Sequence, residues 1–259
     1  MDGQSLILYG FLGSLIAGLM TAVGGLPVLF GRAPGVRLQN IMLGFAAGVM
    51  LSASFFSLII PALDIAEVDH PDSTWPAVIV VLGILAGAGA MMLVNALVPH
   101  EHFQTGPEGP ASRMRRIWLF IFAITIHNFP EGMAVGVGFG SGDFANGMSL
   151  ATGIGLQNLP EGLAVAVALV SEGYPRGRAF LVAAATGLVE PVGGLIGAAA
   201  ITLAEPLLPW GLVFAAGAML YVISHEIIPE THRHGQSTSA TAGLIVGMVV
   251  MLFLDVTLG

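Results

Sequence analysis

His127-Asn128-Phe129-Pro130-Glu131-Gly132 and, about thirty residues further on, Gln157-Asn158-Leu159-Pro160-Glu161-Gly162 stand inside two long apolar stretches, 117–139 and 147–170. Residues four apart share a helix face, so His127 points the same way as Glu131, and Gln157 the same way as Glu161. Each proline removes one backbone hydrogen bond and frees the carbonyl four residues back, at Ile126 and Leu156. That predicts a kink or loosening of the helix where the polar side chains sit. A third carboxylate, Glu190, lies near the middle of another apolar stretch and is followed by Pro191. An acidic residue at the centre of a membrane helix costs about 2.5–3.5 kcal/mol. Three that repel one another cost more, unless they are protonated or share a cation.

The apolar surroundings extend along the whole chain. Of 259 residues, 55% are hydrophobic and only 9% are charged, where an ordinary soluble domain has about 25% charged. A bilayer span needs roughly 20 apolar residues, and eight such stretches can be drawn, at 5–30, 38–62, 76–98, 117–139, 147–170, 179–203, 210–229 and 240–258. The first lacks a basic leader and is long enough to span, so it reads as a helix rather than a cleavable signal. The expected fold is an all-α integral membrane protein forming one transmembrane domain over 1–259. The Gly- and Pro-rich segment 99–116 is expected to be a cytoplasmic loop. Nothing in the composition points to nucleic acid.

The arginines orient the spans. Arg32, Arg37, Arg113, Arg115, Arg116, Arg176, Arg178 and Arg233 fall near alternate connections, and there is no lysine. The positive-inside rule makes those connections cytoplasmic and both termini extracytoplasmic. The opposite side carries Asp64, Glu67, Asp69, His70 and Asp72 between the second and third spans. They form either a solvated loop or an electrostatic funnel for cations.

The chain also repeats itself. Phe45-Ala-Ala-Gly-Val-Met-Leu51 matches Phe214-Ala-Ala-Gly-Ala-Met-Leu220, and Val23-Gly-Gly-Leu26 matches Val192-Gly-Gly-Leu195 at the same offset. Ile59-Ile-Pro61 matches Ile227-Ile-Pro229 with a slip of one residue, and Asn95 would pair with Asp255. The matched spans run in opposite directions, which predicts an inverted repeat in a 3+2+3 arrangement with the paired motifs at its centre, as in secondary transporters.

There is no cysteine, so a metal here meets only carboxylate, imidazole and amide. That donor set suits zinc, manganese, iron(II) or cadmium. The paired Pro-Glu-Gly motifs resemble those of the ZIP (Zrt/Irt-like) family of divalent metal transporters, in particular its bacterial, GufA-like members. The resemblance covers the whole chain. It implies uptake of divalent metal, zinc foremost, into the cytosol by alternating access, with the ion as cargo rather than cofactor. It implies a main site of His127, Glu131, Gln157 and Glu161, and a second site of Asn128, Asn158 and Glu190 sharing Glu131 and Glu161. Some relatives carry Asp where this chain has Asn158, so the second site is expected to be weaker here. A homodimer and a sliding or rocking of the metal-carrying helices are further implications, and a bacterial inner membrane is the expected location.

Peripheral residues stand as pathway candidates: Met50, Ser57 and Asp64 on one side, and His225, Glu226, Glu230 and His232 on the other. For Met50, core packing is the competing reading; for the last group, ordinary interfacial polarity. His100 and His102 form a His-x-His in the long loop. Asp255 has no evident role beyond reaching the outer surface. The Gly44/Gly48, Gly83/Gly87, Gly193/Gly197 and Gly243/Gly247 pairs predict close helix contacts. An intramembrane metal-dependent hydrolase is a rival reading, since His127 with two carboxylates could activate water. The zinc-protease pattern that His225-Glu226 begins fails, because Pro229 stands where its second histidine belongs. A cation channel is a further rival.

Overall fold

The computed structural model describes residues 2–31, 35–97, 100–102, 106–108, 116–231 and 237–258. Its helices are α1 (Gly3–Leu29), α2 (Val36–Ser52), α3 (Ile60–Asp69), α4 (Trp75–Leu97), α5 (Arg116–Gly140), α6 (Phe144–Ser171), α7 (Arg176–Gly187), α8 (Glu190–Leu203), α9 (Leu208–Val222), α10 (Ile228–Thr231) and α11 (Ser237–Leu258). A short antiparallel hairpin, β1 (His100–His102) with β2 (Gly106–Glu108), interrupts the otherwise helical chain within the long loop. Among the described residues seven helical runs are long and apolar enough to cross a membrane: 3–29, 37–69, 75–97, 144–171, 176–203, 208–225 and 238–257. The helix α5, 25 residues long, carries the first motif beside them.

Local chemistry sets the starts of these helices. The Asp2 carboxylate accepts from the Ser5 amide at the head of α1, and Asp143 accepts from the Asn146 amide at 3.1 Å at the head of α6, satisfying donors that a helix start leaves without partners. Gly142 and Gly173, both at positive φ, make the tight turns before α6 and after it.

Prolines act in two ways. α5 and α6 run through Pro130 and Pro160 without a break, so the expected loosening does not interrupt either helix. Elsewhere the helix widens ahead of a proline. A π-helical stretch, Ala53–Ile59, links α2 to α3, and another, Ile223–Ile227, links α9 to α10. In each the following amide reaches back five residues, Ile60 to the Phe55 carbonyl and Ile228 to Ile223. Pro61 and Pro229 lie just beyond, and the wider turn eases the clash of a proline ring with the carbonyl four residues earlier. The carbonyl released by Pro61 belongs to Ser57, and it accepts from Asn146 Nδ2 at 3.2 Å.

Three readings of the sequence need correction. Asp64, Glu67 and Asp69 lie on the last turns of a helix rather than in a loop, because the run through α2 and α3 continues to Asp69; an acid on the exposed face of a helix end is solvated and does not stop it. The sixth apolar stretch is two helices. α7 ends at Gly187, Leu188 and Val189 turn, and α8 begins at Glu190 with Pro191 in its first turn. Pro191 disfavours helical continuation from the residues before it. Asp255 does more than reach for solvent, as it accepts from Ser57 Oγ at 2.7 Å.

The helices sort into two packed sets. α1 lies against α5, α6, α7 and α8, and α5 lies against α6 and α8. α2 lies along α11, and α4 along α9, with α3 and the first π-helical stretch also on α9. Glycines fix both sets at backbone contact. A methyl group at Gly24 would overlap the Leu159 carbonyl, and one at Gly162 the Thr21 carbonyl, which ties α1 to α6. In the other set Gly48 meets the Leu244 carbonyl and Gly217 the Ile84 carbonyl. The sets meet where α6 touches α2 and α11 and where α5 touches α9.

Candidate metal centre

The two motifs come together inside the first set. His127, Asn128, Glu131, Gln157, Asn158, Glu161 and Glu190 are all buried, and Glu131 and Glu190 have no exposed surface at all. α5 supplies the first three, α6 the next three, and the first residue of α8 supplies Glu190. The break at Leu188–Val189 places that carboxylate at a helix start instead of mid-helix.

Contacts among these side chains are direct. Gln157 Nε2 donates to Glu131 Oε1 at 2.7 Å. Asn158 Nδ2 donates to Glu190 Oε1 and to the Ala17 carbonyl, both at 2.8 Å. Glu131 lies within electrostatic reach of Glu161 and Glu190, and Glu161 within reach of His127. Burial removes the water that would otherwise screen three like charges, so their repulsion is strong.

The donor atoms left over form a concentrated set of oxygens. Glu131 Oε2, Glu161 Oε1, Glu190 Oε2, Gln157 Oε1, Asn158 Oδ1 and both polar atoms of the Asn128 amide are buried without a hydrogen-bond partner. Native interiors leave few such atoms, and each calls for an explanation. A divalent cation supplies one, because it bonds to several oxygens at once and offsets the carboxylate charges. Among the described residues no group of three carboxylates and imidazoles by itself could enclose an ion.

Sequence reasoning missed Thr21. Its hydroxyl is buried without a partner beside this site, and its carbonyl is the one that Gly162 meets. Thr21 stands to Gly162 as Glu190 stands to Gly132, whose own close contact is the Glu190 carbonyl. The offset that matches Val23-Gly-Gly-Leu26 to Val192-Gly-Gly-Leu195 carries Thr21 onto Glu190, so the repeat contained the signal.

The pathway candidates within the described residues stand on other elements than the α5, α6 and α8 that carry this cluster. Met50 is fully buried in the apolar core of the bundle. Ser57 bridges Asp255 and Asn146, and Asp64 is exposed on α3. His225 stacks on Tyr221 with ring centroids 5.0 Å apart, and the Tyr221 hydroxyl accepts from Asn95 Nδ2 at 3.0 Å. Glu226 and Glu230 fall on the second π-helical stretch and on α10. His232 lies outside the described residues.

Residues 99–255 match the family described as ZIP Zinc transporter. The chain belongs to the ZIP family. It is 48% identical over 255 residues to Zinc transporter ZIPB of Bordetella bronchiseptica, covering 97% of this chain and 82% of that protein. It is 46% identical over 251 residues to Zinc transporter GufA of Myxococcus xanthus, covering 96% and 99% of the two chains. Zinc transporter ZIP11 of Homo sapiens is 36% identical over 341 aligned residues, with both chains fully covered. These relatives bear out the bacterial, GufA-like resemblance. ZIP proteins are transporters, so the hydrolase reading is set aside and the buried site of this ZIP protein is not an enzyme's active site.

Proposed function

We propose that this ZIP protein takes up divalent metal, zinc foremost, by binding it between α5 and α6 at His127, Glu131, Gln157 and Glu161. The observation that carries this reading is the buried set of carboxylate and amide oxygens without partners, on adjacent helices of a membrane bundle. The relatives' printed names favour zinc as the cargo. The absence of thiolate also admits cadmium, iron(II) and manganese. Asn128, Asn158 and Glu190 adjoin this position, where the resemblance implies a second, weaker one.

The reading extends to the architecture, as eight spans in a 3+2+3 inverted repeat with α5 and α6 in the middle. Its support is a set of glycine contacts that recur at matched positions. Gly24 on Leu159 and Gly162 on Thr21 between α1 and α6 correspond to Gly193 on Phe129 and Gly132 on Glu190 between α8 and α5. Gly48 on Leu244 between α2 and α11 corresponds to Gly217 on Ile84 between α9 and α4. Both repeats also place a π-helical stretch ahead of the matched Ile-Ile-Pro. Alternating access then moves the set that holds the ion against the set that does not. The positive-inside rule orients the bundle with the Asp64 side and both termini outside a bacterial inner membrane and the His225 side in the cytosol, and uptake as the resemblance implies it runs from the first side to the second. Ser57 and Asp64 lie toward the entrance; His225, Glu226, Glu230 and His232 lie toward the exit. The surrounding bilayer and a second copy of the chain, as a homodimer, complete the assembly.

Uptake of radioactive zinc into proteoliposomes tests this, comparing the unmodified protein with a Glu131→Ala, Glu161→Ala double variant. Saturable uptake, competed by cadmium and abolished in the variant, is expected. Flux that rises linearly with zinc and ignores the substitutions would point to a channel and overturn the reading.

A further inference from the structure

We propose that Asn158 closes the second cation position in this chain, acting as a hydrogen-bonded tie between α1, α6 and α8 instead of a metal ligand. The inference rests on the transport-site reading above and refines it: one ion is bound at the midplane per chain.

The geometry of one amide carries it. Asn158 has two N–H donors on Nδ2, and Nδ2 is 2.8 Å from both the Ala17 carbonyl of α1 and Glu190 Oε1 of α8. It is therefore the positive end of the amide that faces the Glu190 carboxylate. A cation shared between Asn158 and Glu190 needs the oxygen end there. Turning the amide over would put Oδ1 where Nδ2 now stands, in contact with the Ala17 carbonyl, and two acceptors at that distance repel. The backbone cannot yield to relieve this. Gly18, next to Ala17, already touches the Gly187 carbonyl, and a methyl there would also come within 3.3 Å of Glu190 Oε1. Gly24 and Gly162 lock α1 to α6 on the other flank.

Gln157 differs in the respect that matters. Its Nε2 donates to Glu131 Oε1 on the neighbouring helix, and that bond involves no backbone carbonyl of a third helix. Turning that amide over would bring its oxygen against Glu131 Oε1, a side-chain carboxylate whose charge a shared cation would offset. The main position is thus open to its amide ligand while the second is not. In place of a second ion, one N–H of Asn158 donates to Glu190 Oε1 and helps hold that carboxylate in the interior.

Counting zinc by equilibrium dialysis of the full chain in nanodiscs tests this. A set of variants cancels any zinc held at peripheral sites. Glu190→Gln is expected to bind the same number of zinc ions as the unmodified protein. Asn158→Asp, which replaces both donors with an anionic oxygen, is expected to gain one zinc per chain, and Asn158→Asp with Glu190→Gln to lose that gain. A loss of one zinc in Glu190→Gln alone, or no gain in Asn158→Asp, would overturn the proposal. If Asn158→Asp does not fold, the Glu190→Gln count decides. These outcomes differ from failure of the transport reading, in which Glu131→Ala with Glu161→Ala would leave zinc binding unchanged.

Discussion

The two helix sets use the same packing, but among the described residues only the first buries carboxylates. α1, α5, α6, α7 and α8 are joined by glycine-on-carbonyl contacts such as Gly162 on Thr21, and so are α2, α4, α9 and α11, as at Gly48 on Leu244. Yet the first set holds His127, Asn128, Glu131, Gln157, Asn158, Glu161 and Glu190, while the second holds Met50, Leu58, Leu212 and Met219. Four prolines divide in the same way, lying within unbroken helix at Pro130 and Pro160 and beyond π-helical stretches at Pro61 and Pro229, while Pro191 of the first set follows the break before α8. Every ligand named for the main position therefore belongs to one tightly packed body. Such a body can shift against the other set without its ligands separating, so movement and binding need not compete.

Substitutions on either side of that division should separate in effect. The largest difference is expected between buried and peripheral acids. Glu161→Ala should lower zinc uptake about 100-fold, equivalent to roughly 2.7 kcal/mol of lost binding, while Asp64→Ala on the exposed face of α3 should stay within about twofold. Equal losses would erase the distinction between the sets as binding bodies. Gly162→Val should next cost at least about 3 kcal/mol of stability, because the new side chain meets the Thr21 backbone and not a movable side-chain end; its melting in detergent would read this.

Contacts between the sets should respond differently again. A methyl at Gly153 of α6 meets the thioether of Met251 on α11, which is flexible. Gly153→Ala is therefore expected to keep the melting temperature within about 2 °C, a change below 1 kcal/mol. It should still slow uptake severalfold if α6 slides past α11; unchanged uptake would argue that this boundary is static. The smallest effect on uptake is expected at Asn146→Ala, which removes the bond to the Ser57 carbonyl across the same boundary. A loss of about 1 kcal/mol, seen as a melting shift of a few degrees with KM unchanged, would separate structural support from binding.

Much of this was readable from sequence because charge is conspicuous among apolar residues. Glu131, Glu161 and Glu190 stand out in their stretches, and the i, i+4 spacing joins two of them to His127 and Gln157. Helix ends were harder to read. Asp64, Glu67 and Asp69 look like a loop in composition, but charge on an exposed helix face is compatible with helix. The break at Leu188–Val189 was signalled only by Pro191, and the same residue type at Pro130 and Pro160 makes no break. The π-helical stretches have no composition of their own. The one-residue slip between Ile59-Ile-Pro61 and Ile227-Ile-Pro229 goes with the longer of the two, Ala53–Ile59 against Ile223–Ile227. Thr21 was reachable only through the repeat offset that carries it onto Glu190, and the Ala17 carbonyl was invisible because a backbone oxygen carries no chemical label until a partner is placed beside it.

The central claim is that the two Pro-Glu-Gly motifs hold the transported ion between α5 and α6. Anomalous diffraction at the zinc edge from crystals of the zinc-loaded protein tests it most directly. The expected result is a peak bounded by His127, Glu131, Gln157 and Glu161 that disappears in Glu131→Ala with Glu161→Ala. Zinc found only at peripheral sites such as Asp64 and His225, with none between the motifs, would contradict it.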